Sequence, residues 1–360
     1  MTHDTNEIAP LAHHGGTGAM IRLAVINLLL SIATLSIWRF WGKTKVRQAL
    51  WSNTTAWDDP LEYTGTGKEL FLGFVIILIG VYVPLVLLFN TANALIAEES
   101  PLGGLLMVLL YVVTIFLIAA GSFRARRYQL SRTVWRGIRG GQGGSAWAYA
   151  WRSLAVWALV PLTLGWIWPW GDMMLARYRL NHTTFGNTSF TCEAGLTGLY
   201  KRFTLLWVGW MGLFAAGGAL AFAMAAAVMA AGTGGDWADI YFVVSILMFI
   251  LVVPVIVISL AWYRAGFYQR LAEGTALGGV RFRLETGAWG LMRLGIGNGF
   301  LVALSLGVLR PWAALRMWRF ACDAIRLDGV PDFAAIRQAV EEGPTLGEGL
   351  SSVLDSAGEY

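Results

Sequence analysis

An all-α, polytopic membrane protein is the fold class this chain predicts, and three observations carry that expectation. Four long apolar runs, Leu70 to Phe89, Leu102 to Phe123, Phe203 to Ala231 and Tyr241 to Tyr263, hold no Asp, Glu, Lys, Arg or His. Runs of about 20 apolar residues reach across a hydrocarbon core of about 30 Å as helices. Hydrophobic residues make up 56% of the chain and charged residues 14%, too apolar a balance for a soluble protein of this length. The connectors inside the two pairs of runs are acidic only, through Glu98 and Glu99 in one and Asp236 and Asp239 in the other. All 27 Lys and Arg lie elsewhere, so the positive-inside rule turns both connectors away from the cytoplasm and starts and ends both helical pairs inside it.

Three further apolar segments, about Met20 to Trp41, Ala148 to Trp170 and Leu291 to Trp312, do not fit as plain spans. Were each to cross, the loops carrying Arg177/Arg179 and Arg281/Arg283 would lie outside and the Asp236/Asp239 connector inside, against the charge rule. Each also contains a breaker: Thr34-Leu35-Ser36, Pro161 with Gly165 and Pro169, and Gly307 with Pro311. The expectation is three re-entrant or short helix-break-helix elements packed against the four spanning helices, because irregular backbone at membrane depth must be buried in protein or wet; the alternative is that they are short, tilted spans.

An internal repeat supports this organisation. ATLSIWRFWGKTKVRQALWSNTT aligns without gaps with LTLGWIWPWGDMMLARYRLNHTT, and LSLGVLRPWAALRMWRF is a third copy. Behind each helical exit lies a stretch that reads as a small β-hairpin: WSNTTAWDDPLEY, LSRTVWRGIRGG, LNHTTFGNTSF, AEGTALGGVRFRL and DAIRLDGVPDF. Each sets Trp, Phe or Leu (Trp57, Trp135, Phe185, Leu277, Leu327) ahead of an Asp, Gly or Asn turn. Five equivalent hairpins belong on one face, the cytoplasmic one. The domain reading is a cytoplasmic tail over residues 1–16, one membrane domain over 17–333 with repeats starting near 20, 148 and 291, and an acidic cytoplasmic tail over 334–360. MTHDTNEIAP has no basic stretch before an apolar core, so no cleaved secretory signal is expected. Cys192 and Cys322 fall in cytoplasmic segments, where a structural disulfide is not expected.

The stretches NLLLSIATLSIWRFWGKTKVRQALWSNT, LEYTGTGKELFLGF and RRYQLSRTVWRGIRGGQGGSAWAYAWRSL resemble the signature segments of the YjgN-like family. The resemblance runs from about Gly15 to Phe333. It implies a bacterial protein, multi-pass in the inner membrane, and no assigned activity; the charge rule adds the expectation that both termini are cytoplasmic. It lends no catalytic residues. Ala-Leu-Gly-Gly in the fourth hairpin departs from the Val-Trp-Arg-Gly of the second.

The chemistry of the sequence is mostly exclusion. Gly65-Thr66-Gly67-Lys68 lacks both the first glycine and the magnesium-binding hydroxyl of a phosphate loop, since Glu62 and Glu69 stand there. His3, His13, His14 and His182 show no ligand spacing, so no metal and no cofactor is expected. The four spans carry no charge for an ion-coupled relay. Tryptophans such as Trp38, Trp41, Trp147, Trp151, Trp157, Trp166, Trp168 and Trp170 suit an interfacial belt. Asn27, Arg152 and Asn298 are the polar residues nearest the re-entrant cores, suited to bonds between helices or to a polar path.

One constellation is cationic. Arg124, Arg126, Arg127, Arg132, Arg136 and Arg139 occur without an acid among them, interleaved with Tyr128 and Trp135. Guanidinium forks and headgroup-level rings suit anionic lipid, while the plain alternative is topology-setting charge. The net charge of +5 belongs to the same membrane signature, so nucleic acid is not the expected partner. The functional expectation is therefore a non-enzymatic inner-membrane protein that binds or passes a lipid or small amphiphile without ion coupling. The alternative is a scaffold that orders anionic lipid or docks a cytoplasmic partner. Substrate, protein partners and oligomeric state are not legible.

Overall fold

The computed structural model describes residues 7–8, 11–231, 237–329, 332, 333 and 335–338. Five β–helices–β units follow one another along the chain. The first joins β1 (Glu7–Ile8) and β2 (Leu11–His13) through α1 (Thr17–Ala33) and α2 (Arg39–Ser52) to β3 (Thr54–Ala56). The second runs β4 (Asp59–Tyr63), α3 (Gly67–Ile77), α4 (Val83–Ala97), α5 (Pro101–Ser131) and β5 (Thr133–Trp135). The third is β6 (Ile138–Gln142), α6 (Ala146–Leu162), α7 (Trp168–Asn181) and β7 (Thr183–Phe185). The fourth is β8 (Thr188–Cys192), α8 (Leu199–Ala231), α9 (Trp237–Glu273) and β9 (Thr275–Leu277), and the fifth β10 (Val280–Leu284), α10 (Ala288–Leu304), α11 (Arg310–Ala324) and β11 (Ile325–Asp328).

The strands form a single antiparallel sheet in the order β1-β11-β10-β9-β8-β7-β6-β5-β4-β3-β2. Its two edges, β1 and β2, are separated only by residues 9 and 10 and run the same way, since β11 and β3 both lead out of a helix. The N-terminal stretch thus pairs with the last strand through Glu7 and Ile8 and with the third through Leu11, Ala12 and His13. The result is a nearly closed barrel of ten staves. All helical excursions leave from one rim. Two-residue turns of positive φ close the other rim at Trp57-Asp58 and Arg136-Gly137, and Gly186 and Gly278-Gly279 take up the same conformation, matching the twist of the flanking strands.

This barrel corrects the expectation of an all-α protein with separate hairpins and four spanning helices. Hairpin signals are local, whereas the pairing of β4 with β5 or β8 with β9 joins strands on either side of a long helical excursion. An isolated hairpin is marginal and leaves two open edges, and lateral pairing removes both defects. The fifth hairpin is also not one chain segment, because β11 finds its outer partner in β1. Residues 7–8 and 11–13, read as part of a tail, are strands.

Among the described residues three helices are long and apolar enough to cross a membrane: 67–97, Pro101–Ser131 and Leu199–Ala227. The fourth apolar run, Tyr241 to Tyr263, falls in α9, where most side chains between 237 and 253 lie outside the described residues. Asp236 of its connector and most of the expected acidic tail also lie outside them. The first crossing element carries a π turn over Leu78–Tyr82, just ahead of Pro84, whose ring would clash with a regular preceding turn.

Inside the barrel, registers sort the side chains into layers. Next to the helices lie His13/Thr54, Tyr63/Thr133, Gln142/Thr183, Cys192/Thr275 and Leu284/Ile325, a layer polar in four of its five units. Thr54, Thr133, Thr183 and Thr275 each open a strand and donate a hydroxyl to the carbonyl four residues back, at 2.6–3.0 Å. These bonds satisfy the carbonyl ends of α2, α5, α7 and α9. The next layer is almost wholly apolar: Leu11/Ala56, Leu61/Trp135, Gly140/Phe185, Phe190/Leu277 and Phe282/Leu327. The outward face carries Glu62, Arg139, Arg281, Arg283 and Arg326.

A strap formed by the chain around Phe333 and Ile336 crosses the turn rim. Phe333 packs edge-on to Trp57 and Trp135, with ring centroids 4.7 and 5.0 Å apart, and Ile336 is buried. Asn187 N donates to Arg337 O at 2.9 Å, Arg337 N to Asn187 Oδ1 at 3.0 Å, and Arg139 N to Gln338 Oε1 at 2.8 Å. A Cβ on Gly186 would overlap Arg337 O.

Candidate functional site: a cationic cleft between the first and last helical pairs

The three short helical pairs, α1/α2, α6/α7 and α10/α11, reverse direction by the same device. Leu35 and Ser36, Leu164 and Gly165, and Leu306 and Gly307 all adopt positive φ. The backbone N–H of the second residue in each pair reaches back to Ser31 O, Val160 O or Val302 O at 2.6–2.7 Å, closing the incoming helix. Thr34, Thr163 and Ser305 then accept from the N–H of Trp38, Ile167 and Leu309, at 2.9–3.3 Å, and tie each reversal to the residue just ahead of the outgoing helix. The breakers read from the sequence therefore sit at the reversals. Leu35 and Leu306 at these tips are 90% and 93% exposed, apolar ends with no protein over them.

Below each tip the paired helices meet at equivalent positions of the repeat. Asn27 Nδ2 donates to Gly42 O at 3.3 Å while its Oδ1 accepts from Trp38 Nε1 at 3.2 Å. Asn298 Nδ2 donates to Ala313 O at 3.1 Å, but its Oδ1 is buried without a partner. In the middle pair Val156 takes this place against Gly171, where a Cβ would overlap it. Arg152 donates to Ala148 O at 2.9 Å and lies over the Tyr178 ring, away from these amides.

The cationic connector does not form one site. Arg124 lies over Trp147, and Arg127 donates to Gly143 O and Gly144 O. Arg132 meets Glu69 at 2.8 Å, and Arg136 pairs with Asp59. Trp135 is buried in the barrel, its indole donating to Ala56 O and Asp59 O. Arg139 points outward from the sheet, and Arg126 sits in α5, half-buried. The acids absent from this stretch come from β4 and the start of α3. Glu69 also accepts from Tyr128 at 2.8 Å and closes a capping box with Thr66.

Cations do converge where α1 and α2 meet the tip of α10/α11. An open cleft of ≈ 460 Å³ is lined there by Arg39, Lys43 and Arg310, by Asn27 and Ser31, and by an apolar wall that includes Leu28, Phe40 and Leu306. Among the described residues that line it there is no carboxylate or imidazole. Arg39 and Arg310 are the first residues of α2 and α11, so both helices point their positive ends towards the cleft. Arg39 also lies 4.9 Å from the Phe40 and Phe74 rings.

The repeat shows what the middle pair does with the same positions. Trp168 replaces Arg39 and Arg310, and Asp172 replaces Lys43. Asp172 accepts from Trp168 Nε1 at 3.1 Å and Tyr263 OH at 3.3 Å, with Arg264 at 3.6 Å. Phe203, Tyr263, Trp168 and Trp207 fill the surrounding space. A closed aromatic core thus stands where the outer pairs leave a charged cleft. Arg39 and Arg310 recur at one repeat position, a signal visible in the sequence.

A second polar knot holds the barrel seam. Thr54 Oγ1, already donating to Leu50 O, accepts from His13 Nδ1 and Trp318 Nε1, both at 2.8 Å. Arg319 reaches Gly15 O and Thr17 Oγ1 across the seam. Burial, then the nearby Arg319 and His14, hold the His13 imidazole below its ordinary pKa against the pull of Asp323. Among the described residues no cluster of His, Cys, Asp and Glu is placed to hold a metal ion.

Comparison with known proteins gives two matches. The model of the family described as "Bacterial protein of unknown function (DUF898)" matches residues 9–353. The inner membrane protein YjgN of Salmonella typhimurium is 28% identical over 132 residues, which is 36% of this chain and 30% of that relative. No solved structure matches.

Proposed function

We propose that this protein, which belongs to the bacterial family DUF898, is an inner-membrane protein that binds an anionic amphiphile in the cleft between its first and last helical pairs. The YjgN relative supports the inner-membrane location, and three helices long and apolar enough to span support membrane residence. The barrel and its outward arginines face the cytoplasm in this reading, in accord with the positive-inside rule.

The observation that carries it is the position of Arg39 and Arg310. Helix α1, of 17 residues, rises about 25 Å from the barrel rim, at 1.5 Å per residue. Both arginines follow its tip or that of α10/α11, beside bare Leu35 and Leu306. An arginine inside the hydrocarbon core carries an insertion cost that reaches about 2.5–3.5 kcal/mol at mid-bilayer. Two on one cleft with no carboxylate among its described lining residues call for an anion. The polar head meets the guanidinium groups and the tail lies along Leu28, Phe40 and Leu306. No acid–base pair is assigned, so the role is binding or passage.

Mass spectrometry of native lipids tests this. The parent protein is expected to retain anionic lipid through delipidation that strips the annular shell, and R39Q/R310Q to lose it at unchanged melting temperature. Equal retention by both proteins would remove the cleft as the site and favour a scaffold that orders lipid generally.

A further inference from the structure

We infer that the cleft draws its ligand from the membrane leaflet on the barrel side, the cytoplasmic leaflet in the orientation proposed above, and holds it there rather than passing it across; the inference rests on the binding reading. Depth along the helices leads to it. The 22 residues of α5 from Leu102 to Phe123 carry no charge and match a hydrocarbon core of about 30 Å, at about 1.5 Å per residue. The barrel-side face of that core therefore lies near Phe123, ten residues ahead of the strand-opening Thr133. Thr54 and Ile325 open the strands after α2 and α11 in the same layer of the barrel, so positions counted back from them share a depth. The cations at the boundary agree: Arg124, Lys45 and Arg316 each stand nine residues ahead of their strand.

On that scale Arg39 and Arg310, both fifteen residues ahead, lie about 7 Å inside the hydrocarbon core, level with Ile118 of α5. A contact gives the same depth independently. The Arg39 guanidinium lies 4.9 Å from the Phe74 ring. Phe74 is four residues, about 6 Å, past Leu70, where the charge-free run of the first spanning element begins. The tips at Leu35 and Leu306 reach about 13 Å, close to the middle of the bilayer. Leu28 and Leu78 both stand fifteen residues past the strand ends His13 and Tyr63, which sets Leu28 about 12 Å deep by the count from Leu70. The cleft thus places Arg39 and Arg310 nearer the barrel, and Leu28 and Leu306 nearer the bilayer centre. That is the order of head and tail in a barrel-side lipid. A lipid of the opposite leaflet has the reverse order, and its head lies beyond the tips.

The test uses the full-length protein in phosphatidylcholine vesicles, sorted for those with the barrel outward, with phosphatidylglycerol loaded into one leaflet as the probe. Benzoylphenylalanine in place of Leu28 reads occupancy through crosslinks found by mass spectrometry. Phosphatidylglycerol in the outer, barrel-side leaflet is expected to crosslink, and the same lipid confined to the inner leaflet to give no crosslink. R39Q/R310Q should lose the signal. Crosslinking from both leaflets, or from the inner one alone, that is lost in R39Q/R310Q would overturn the leaflet inference and keep the binding reading. Crosslinking unchanged by R39Q/R310Q, or absent from both leaflets, would overturn both. A spin label attached in L35C measures depth without any ligand. It should show the high oxygen and low nickel accessibility of the bilayer centre. Accessibility typical of either headgroup region would overturn the depth scale and the leaflet inference with it.

Discussion

Replacing Gly186 with alanine tests whether the strap closes the turn rim of the barrel. Gly186 has φ +56, a conformation costing about 1–2 kcal/mol for a residue with a Cβ. The added methyl would also lie 2.9 Å from Ile138 Cγ2 and overlap Arg337 O. The rim is fixed by the barrel, so the strap must give way. It then loses the bonds Asn187 N→Arg337 O and Arg337 N→Asn187 Oδ1, about 1 kcal/mol each. The φ cost stays with the rim whether the strap is docked or released, so the two bonds alone, about 2 kcal/mol, set roughly a thirtyfold rise in the released strap, at about 1.4 kcal/mol per tenfold. Trypsin cleavage after Arg337 in detergent reads this directly, because cleavage of a rapidly opening segment follows its open population. G186A should be cut about thirtyfold faster than the parent. N187A, which drops the side-chain bonds without a clash, should fall between them. Melting of the helices should move by only a few degrees, since the loss is local. Cleavage of G186A at the parental rate would mean that the strap does not rest on Gly186 and that this description of the rim is wrong.

Other consequences follow from the repeat, the seam and the orientation. N27V should cost about 1–2 kcal/mol in thermal or denaturant melts, because Gly42 O and Trp38 Nε1 lose their partner. N298V should be neutral or stabilising, since Asn298 Oδ1 is already unpartnered and Val156 fills the equivalent place; equal losses in both would refute the assignment. The depressed pKa of His13 means that its contribution is fully present above its unfolded pKa of about 6.5 and is lost as pH falls through the lower folded value. Melting temperature should therefore drop on acidification below about pH 6.5 in the parent, and H13N should flatten that slope; an unchanged slope would count against the buried neutral imidazole. A cysteine at Asn93 should react with an impermeant thiol reagent from the periplasm, and one at Gly279 only after the membrane is opened. The reverse pattern would invert the proposed orientation.

The helical reversals were legible because their chemistry is local. Thr34, Thr163 and Ser305 lie within four residues of the groups they bond, and Leu-Ser or Leu-Gly follows each. The β-turns were legible for the same reason. The barrel was not, because β4 finds β5 across α3, α4 and α5, and no residue in either strand encodes that partner. His13 looked like part of a mobile tail until Thr54 and Trp318 placed it in the seam. The arginine stretch from 124 to 139 misled in the opposite sense: proximity in sequence suggested one cationic surface, whereas a helix end, a strand and a turn send these side chains in different directions. Arg39 and Arg310 are 271 positions apart and share one cleft, so only the repeat connected them.

The seam has a consequence for biogenesis. Pairing of Glu7 with Asp328 makes β1 wait for β11 during synthesis. Pairing with β3 is available early, so a partial sheet can grow by one stave pair as each helical excursion enters the bilayer. Its open edge advances with synthesis, and closure comes only after α11 has been delivered. Until then that edge is a liability of unpaired backbone groups, and its closing contact has the long sequence separation that slows folding. Truncation anywhere before β11 should leave a nascent chain that is inserted but unsealed, and therefore a substrate for membrane proteolysis.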